Sequence, residues 1–483
     1  MESIDLLLKA LETTGNDETI QEKLNEIKKH LIHCAESSKN VLNSKEFLRN
    51  ANSEVAYDIL EMCMTNLKIN DEPDLFDITE MILKHPNAKV KTVAVRFVEK
   101  NLQHSTALHK LQTIMMFIEC LKSNETSIGI PSIQILIELL KLQNFIDDPA
   151  VKKQLLSTIE NEDDVIALRV YSVAVGVAKG GSKELEKMEY LLEKCINEMN
   201  KEDVLVLMNV LEILKELCLT SFGLVYLENK GVFDNLVKRI DRINEDPLVS
   251  ILVPGLMKFF GNVAAVFPEK IFNAYPALIN TLYNCLLGDD FQLLYTALDT
   301  LGHLTRHEYG KITLDSLNTE QCVKVLVHVS KTIPNYPTDL KVRAINCFEN
   351  VFWIDPMSSR NNQVNYICQK WFSSIFGSDL MVVINFCKNA FEDISTSAFK
   401  LLRSLIYHDF GQRAVAATGG FVEYLLDRNS NITLEVKQIK YEIIEVLAES
   451  NAFEAAVTLQ LQKYVREGFN YVQGVTEIAF EST

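Results

Sequence analysis

The chain has 483 residues, of which 48 are Lys or Arg and 65 are Asp or Glu, so its formal net charge is −17. Hydrophobic residues make up 47% of it, enough for a large core and too many for a disordered chain. The acidic balance argues against nucleic acid or an anionic membrane surface as a partner, because both require a basic footprint. We therefore expect a soluble protein whose partner carries a positive patch.

Cysteine usage indicates the cellular compartment. The ten cysteines form no Cys-x-x-Cys pair and lie within apolar runs, as Cys63 and Cys218 do. Reduced cysteine in such runs behaves as a small hydrophobic residue, which is typical of the cytosol or nucleus rather than of a disulfide framework. Residues 1–5 are acidic and amphipathic, unlike a signal peptide. We expect a cytoplasmic protein, with the nucleus as an additional location.

The longest nearly uncharged run covers residues 247–267. Pro254, Gly255 and Lys258 interrupt it, whereas a membrane helix needs about 20 mostly apolar residues. The run therefore predicts a pair of buried core helices.

A unit of about 40 to 50 residues recurs along the chain, which is the period of armadillo and HEAT repeats. Each unit has an acidic or Asn-containing turn, a long apolar helix and a second amphipathic helix. Polar side chains in the apolar segments are spaced by three and four residues, as at Asn209, Glu212 and Glu216, which indicates helix rather than strand. The units open near Asn87, Asn124, Asp163, Glu202, Glu245, Asp289, Thr338 and Leu434. We predict an all-α fold, an armadillo/HEAT-type right-handed superhelical solenoid.

The repeat pattern also predicts the domain organisation. Residues 1–86 are the least repeat-like and are predicted to form an atypical N-terminal helical capping region. Residues 87–467 form the armadillo/HEAT-like repeats, and 468–483 a poorly ordered C-terminal tail.

Two segments match at identical spacing. Phe222-Gly223 is followed by Gly231 and then by Phe233. Phe410-Gly411 is followed at the same distances by Gly419 and Phe421. In an armadillo unit such a glycine ends the second helix and allows a sharp turn into the third. The pattern therefore predicts a third helix after Gly231 and another after Gly419.

The third helices supply the candidate partner-binding residues, because in armadillo stacks they line the concave face. The helix predicted over residues 232–243 is amphipathic, with its polar side chains pointing outward. The candidates are Asp234, Asn235, Lys238, Arg239 and Asp241 on this helix, and Glu423 and Asp427 on the related helix after Gly419.

Motifs that resemble catalytic or nucleotide-binding sites are incomplete. His307-Glu308 begins like a zinc-protease helix, but Lys311 stands where the second His belongs. Gly310-Lys311 resembles the end of a phosphate-binding loop, yet Ile312 replaces the hydroxyl residue. His30, His33 and Cys34 share a helix face, but no second ligand pair accompanies them. We expect no enzyme activity, no cofactor and no metal.

Paired carboxylates precede several apolar helices. Asp147-Asp148, Asp163-Asp164 and Asp289-Asp290 each stand where an Asp side chain can accept hydrogen bonds from the exposed N–H groups of a helix start. We interpret them as helix caps rather than as acid–base pairs.

Several short segments carry a resemblance to a known family. Their order and spacing hold over roughly residues 163–450. They are residues 202–206, 226–227, 231–232, 254–262, 371–374, 420–424, 427–428 and 440–442. On these segments the chain resembles the family of the 26S proteasome non-ATPase regulatory subunit 5, which are proteasome base-assembly chaperones.

This resemblance implies a non-catalytic chaperone of the proteasome regulatory particle. Members of the family hold the C-terminal domain of one base ATPase, 26S regulatory subunit 7. They do so in a precursor module with regulatory subunit 4 and non-ATPase regulatory subunit 2, and they are absent from the mature 26S proteasome. The resemblance implies the same partners here. We expect a monomer, and from the acidic charge we expect binding to neither nucleic acid nor membrane.

Two other classes of protein remain as alternatives. Armadillo solenoids also serve as adaptors or scaffolds that bind peptides or helical partners, for example in transport. Such adaptors usually carry a regular ladder of Trp and Asn residues, whereas this chain has only Trp353 and Trp371 and no ladder. A hydrolase is the third class, and it lacks a supporting constellation of residues.

Overall fold

The computed structural model describes all residues except 1–3, 14–16, 50, 52, 67–74, 105, 143, 161–162, 202, 242–246, 357–360, 378–379, 429–432 and 470–483. Within the described residues the regular structure is entirely helical, and strands are absent. These residues form two compact units, Met1–Lys230 and Gly231–Thr483. The all-α prediction is confirmed.

Unit 1 contains fourteen α-helices among its described residues. They are α1 (Ile4–Thr13), α2 (Asp17–His33), α3 (Ser38–Leu42), α4 (Lys45–Arg49), α5 (Glu54–Asn66), α6 (Leu75–Leu83), α7 (Ala88–Asn101), α8 (Leu111–Cys120), α9 (Thr126–Leu142), α10 (Pro149–Ile159), α11 (Asp164–Ala178), α12 (Ser182–Glu198), α13 (Val204–Cys218) and α14 (Ser221–Asn229).

The helices of unit 1 stack in two layers. In one layer α5, α7, α9, α11 and α13 pack successively, each against the next. In the other, α6 packs on α8 and α8 on α10, and α12 packs on α14. Core side chains such as Val170, Leu191 and Leu214 are fully buried between the layers. This is the packing of a helical solenoid, in which each unit contacts its neighbours in sequence.

Unit 2 contains fourteen further helices among its described residues. They are α15 (Val232–Asp241), α16 (Pro247–Val266), α17 (Pro268–Ala274), α18 (Pro276–Leu287), α19 (Phe291–Arg306), α20 (Glu308–Thr332), α21 (Thr338–Phe352), α22 (Asn362–Ile375), α23 (Met381–Cys387), α24 (Glu392–Ile406), α25 (Asp409–Ala417), α26 (Phe421–Leu426), α27 (Leu434–Ala448) and α28 (Ala455–Glu467).

Unit 2 repeats a group of one long and two shorter helices. The long helices α16, α19, α21, α24 and α27 pack side by side in that order, while α18 packs on α20 and α20 on α22. Helix α20 is two helices joined at a kink at Asn318, where φ is −159° and ψ is 83°. The Asn318 side chain accepts a hydrogen bond from the Gln321 N–H at 3.0 Å and so caps the second half. Unit 2 is thus also an armadillo/HEAT-type solenoid.

The helix starts follow the capping prediction. Asp148, Asp163 and Asp290 each accept hydrogen bonds from two backbone N–H groups of the helix that follows. Asp203 does the same for α13, and the side chain of Asn87 caps α7. The interpretation of the paired carboxylates as caps is therefore confirmed.

The glycine prediction is correct at one position and wrong by one residue at the other. Gly231 has φ 69°, in the left-handed region that suits glycine, and it directly precedes α15. In the second segment the positive φ of 76° is at Gly420, not at Gly419. The reason is that α26 begins at Phe421 whereas α15 begins one residue before Phe233, so the turn is shifted by one residue.

The run 247–267 forms one helix, α16, rather than the predicted pair. Proline removes one backbone donor and favours a break, but Leu252, Val253 and Leu256 on either side of Pro254 are buried, and α16 packs closely on α19. Tertiary packing thus overrides the local helix-breaking signal. No helix among the described residues is long and apolar enough to cross a membrane.

The handedness of the stack and the boundaries at residues 86/87 and 467/468 stay predictions. Helix α28 ends at Glu467, and of the predicted tail 468–483 only residues 468 and 469 are described. The remaining tail residues lie outside the described part of the chain.

Candidate partner-binding surface

Helix α15 carries five of the seven predicted partner-binding residues. Its buried face consists of Val232, Phe233, Leu236 and Ile240. Phe233 stacks on Tyr275 with a centroid distance of 5.4 Å and lies 5.8 to 5.9 Å from Phe260 and Phe259, which fixes the rotation of the helix.

This rotation leaves the polar side of α15 accessible. Asp234 and Lys238 are exposed, while Asn235 and Arg239 are partly buried. The Arg239 Nε donates a hydrogen bond to the Asn235 side chain at 3.1 Å, one turn away. Asp241 is the last residue of the helix, and its side chain lies outside the described part. The predicted outward orientation is therefore confirmed for Asp234 and Lys238.

Helix α26 carries the other two predicted residues. Phe421 and Leu425 are buried, while Glu423 and Asp427 are exposed. Asp427 is the C-cap of the helix, and its N–H bonds to the Glu423 carbonyl at 3.0 Å. Helix α15 packs on α16 and α18, whereas α26 contacts α25, so the two groups of candidates lie on separate helices with different neighbours.

Asp427 also has a structural role beside a buried lysine. The buried Lys440 donates a hydrogen bond from Nζ to the Asp427 carbonyl oxygen at 2.6 Å. Burial lowers the pKa of Lys440 to about 8, and the nearby Asp427 carboxylate acts in the opposite direction by favouring the charged amine. Reversing the charge of Asp427 would therefore disturb Lys440 as well as the surface.

A second charged surface, missed in the sequence, runs across the long helices of unit 2. Asp299 of α19 pairs with Arg343 of α21, and Arg403 of α24 pairs with Glu442 of α27 at 2.7 Å. Lys400 and Glu435 form another α24–α27 pair at 2.8 Å. The paired residues are about one repeat apart in sequence, with separations of 44 residues for Asp299–Arg343 and 39 for Arg403–Glu442. Opposite charges spaced by one repeat period are the sequence signal that could have revealed these contacts.

Aromatic side chains continue this surface at the C-terminal ends of the same helices. The Arg306 guanidinium lies 3.9 Å from the centre of the Trp353 ring, and Trp353 meets Tyr407 edge-on at 6.0 Å. All three side chains are partly exposed. Trp, Tyr and Arg are the residue types that contribute most to protein–protein binding, so this cluster belongs to the candidate interaction surface.

The incomplete catalytic motifs have structural explanations. Gly310 lies at the start of α20, where the backbone passes the Leu304 carbonyl closely. Lys311 is fully buried and donates hydrogen bonds from Nζ to the carbonyl oxygens of Thr305 and Asn350. His30 and Cys34 both contact the Ser37 hydroxyl, at 3.3 and 3.4 Å. The described residues contain no group of three or more His, Cys, Asp or Glu that could hold a metal ion.

Buried cysteines in the described helices are not activated thiols. Burial raises the pKa of Cys63 and Cys322 to about 12 and that of Cys368 to about 11. A thiol with such a pKa is protonated at neutral pH and is a poor nucleophile.

Taken together, the two stacks of helices, each packed on its neighbours in sequence, define a helical-repeat protein. Comparison with known proteins gives the particular family. The chain belongs to the proteasome non-ATPase 26S subunit family, whose model matches residues 2–483.

Two relatives carry the same name, 26S proteasome non-ATPase regulatory subunit 5. The protein from Drosophila melanogaster is 26% identical over 436 residues, covering 89% of this chain and 85% of the relative. The protein from Homo sapiens is 26% identical over 422 residues, covering 83% and 81%. A chain in the solved structure of Kap95p binding to RanGDP is 11% identical with a TM-score of 0.52, covering 93% of this chain and 68% of that one. That structural likeness concerns the fold alone.

Proposed function

We propose that this protein is a non-catalytic chaperone for assembly of the base of the 26S proteasome regulatory particle. In this role it holds the C-terminal domain of a base ATPase, 26S regulatory subunit 7, and is absent from the mature 26S proteasome. The observation that carries the proposal is the family match over residues 2–483, together with relatives named as a non-ATPase regulatory subunit.

The wider proposal concerns the module and the compartment. The chain acts as a monomer in the cytoplasm, and also in the nucleus, within a precursor module that contains regulatory subunit 4 and non-ATPase regulatory subunit 2. The net charge of −17 supports a partner with a basic surface, because complementary charge speeds association and selects partners.

We assign the contact to the outward sides of α15 and α26. Asp234 and Glu423 are the exposed carboxylates that best test this assignment, since Asp427 also supports the buried Lys440. The double variant Asp234→Lys/Glu423→Lys should bind the ATPase C-terminal domain at least ten-fold more weakly in a titration at low salt. Its melting temperature should change little, because exposed charges contribute little to folding.

The control variant changes the net charge equally on a different helix. Glu445 is exposed on α27 and Glu449 is the exposed C-cap residue after it, so Glu445→Lys/Glu449→Lys should leave the affinity within about two-fold. Equal weakening by both variants would mean that total charge matters and not these helices. No weakening by either would place the interface elsewhere.

The chaperone role itself is tested without any substitution. Affinity purification of the native protein, followed by mass spectrometry and sedimentation, should recover the ATPase module and exclude complete 26S particles. Recovery mainly with complete particles would contradict the chaperone role. Recovery of transport cargo in place of proteasome subunits would instead support an armadillo-type adaptor.

A further inference from the structure

A row of exposed apolar side chains marks the N-terminal edge of the long helices in unit 2. Phe291 begins α19, Phe391 directly precedes α24, and Leu434 begins α27. Their exposed fractions are 46%, 63% and 69%. Tyr336, two residues before α21, fills the place between the first two, since its ring meets Phe291 edge-on at 6.3 Å.

The register of the helices brings these residues to one edge. Helices α21 and α24 each have 15 residues, and their C-terminal ends are aligned by the contacts of Trp353 with Tyr407 and of the Phe352 carbonyl with His408 at 2.8 Å. Their starts are therefore aligned too. The ion pair between Arg403 and Glu442 joins the twelfth residue of α24 to the ninth residue of α27. The start of α27, at Leu434, therefore lies about one helical turn beyond the start of α24, in the direction of its C-terminus.

Phe391 occupies a position where helix stability favours a different residue. It is the N-cap of α24, and unlike Asp290 at the start of α19 its side chain makes no capping hydrogen bond. Asp, Asn and Ser are the preferred N-cap residues because their side chains satisfy exposed N–H groups. An exposed Phe at an N-cap breaks the local stability rule, and departures from such rules are typical of functional positions.

Charge around the row identifies the kind of partner. Six exposed carboxylates flank the apolar side chains, against three lysines in the same turns, Lys341, Lys388 and Lys437. Glu435 among them is paired with Lys400, and Asp290 also caps α19. The six carboxylates are Asp289, Asp290, Asp339, Glu392, Asp393 and Glu435. This excess of negative over positive side chains favours a binding partner with Lys or Arg beside its apolar residues.

Spacing selects the conformation of the occupant. Adjacent packed helices are about 8 to 10 Å apart, so the four side chains extend over roughly 25 to 30 Å. On an α-helix, residues seven apart share a face and are about 10.5 Å apart along the axis. In a β-strand the same distance spans three residues, and side chains three residues apart point to opposite faces of the strand. A strand therefore could not contact all four side chains with one face. We propose that this edge of unit 2 binds a basic amphipathic helix of about 20 residues.

A designed peptide tests the proposal directly. The probe is a fluorescent helical peptide of 21 residues with Leu at the first and fourth positions of three heptads and Lys beside them. It should bind the full-length protein, and a version with Glu in place of Lys should bind at least ten-fold more weakly. A version with Pro at its centre should also lose binding. Equal binding of the Glu or Pro versions would overturn the proposal, as would no binding of the Lys probe.

Substitutions in the protein locate the contact. Phe391→Ser/Leu434→Ser should weaken probe binding at least ten-fold, while the melting temperature stays equal or rises, because Ser supplies the missing N-cap. The control Tyr366→Ser/Leu459→Ser removes side chains of similar exposure, 68% and 66%, from α22 and α28 and should leave affinity within two-fold. Equal loss in the control would overturn the proposal.

A second copy of the chain is the competing occupant. If the wild type sediments as a dimer and Phe391→Ser/Leu434→Ser converts it to a monomer, the edge binds a second copy and the proposal is wrong. The ATPase titration of Asp234→Lys/Glu423→Lys is a separate readout, so failure of one assignment leaves the other standing.

Discussion

The backbone at Gly223 passes so close to Leu217 that a Cβ atom on the glycine would lie 2.2 Å from the Leu217 carbonyl oxygen. The same contact recurs between Gly310 and Leu304, at 1.9 Å, and between Gly411 and Leu405, at 2.0 Å. In each case the separation is six residues, and the glycine is the third residue of the helix that follows. A tight turn between two packed helices is therefore a repeated feature of the fold.

We predict that Gly411→Ala lowers the free energy of unfolding by about 2 kcal/mol or more, because a rigid backbone oxygen cannot yield as a side chain would. The control is Gly419→Ala, which meets no atom within 4 Å and has an ordinary φ, and which should change stability by less than about 0.5 kcal/mol. Urea denaturation of both variants provides the comparison. A similar stability for the two would show that the turn can relax.

The left-handed turns give a second prediction. Gly231 and Gly420 have φ of 69° and 76°, and a Cβ at either would meet no neighbouring atom. The cost of Gly231→Val is therefore conformational strain alone, and it should exceed about 1 kcal/mol. Gly420→Ala should likewise cost about 1 kcal/mol, in contrast to Gly419→Ala. A melting temperature equal to the wild type for Gly231→Val would mean that the turn is placed wrongly.

The sequence predicts some of these features because they are local. Capping by Asp163 or Asp203 depends on a side chain and the next three residues, so the pattern is legible without a structure. The one-residue error at Gly419 has the opposite cause, since spacing alone does not specify which of two adjacent glycines has positive φ. The continuity of α16 across Pro254 depends on packing against α19, which no local pattern contains.

The candidate surfaces also differ in how much of them the sequence predicts. Hydrophobic periodicity predicts which side of α15 is exposed, so the outward positions of Asp234 and Lys238 can be found from the sequence. The row from Phe291 to Leu434 cannot, because it depends on the register between helices about 40 or more residues apart. The Asp299–Arg343 pair is intermediate, since its repeat spacing is visible in the sequence but the contact itself depends on that register. Register follows from core packing, so it requires the structure.

Helix capping yields a third prediction, at Asp203. Its carboxylate accepts hydrogen bonds from the N–H groups of Leu205 and Val206 at 2.8 and 3.0 Å. Asp203→Ala should destabilise the protein by about 1 kcal/mol, whereas Asp203→Asn should be nearly neutral because Asn caps a helix as well as Asp does. Thermal unfolding of the two variants separates a capping role from a role of the negative charge. Equal destabilisation by the Asn and Ala substitutions would mean that the negative charge of Asp203, and not its capping hydrogen bonds, stabilises the protein.

The last prediction concerns the dependence of stability on pH and rests on Lys311. Its amine is fully buried beside two carbonyl oxygens, and burial lowers the pKa to about 8, against about 10.4 for an unfolded lysine. Between pH 8 and 10.4 the unfolded chain retains a proton that the folded chain has released, so raising the pH in this window favours folding. The free energy of unfolding rises by about 3 kcal/mol by pH 10.5, since each unit of pKa difference is worth 1.36 kcal/mol.

Other groups also contribute in this window, because burial raises the pKa of some tyrosines and cysteines, such as Tyr190 to about 12 and Cys285 to about 11. They lose protons in the unfolded chain at a lower pH than in the folded protein, which opposes the effect of Lys311. The informative quantity is therefore the stability of the wild type minus that of Lys311→Met, measured by urea denaturation at several pH values. This difference should rise between pH 8 and 10.5. The control Lys463→Met removes an exposed lysine and measures what the loss of a surface charge alone does to stability over the same pH range. A difference for Lys311→Met that does not rise above that of the control would mean that Lys311 retains an ordinary pKa in the folded protein.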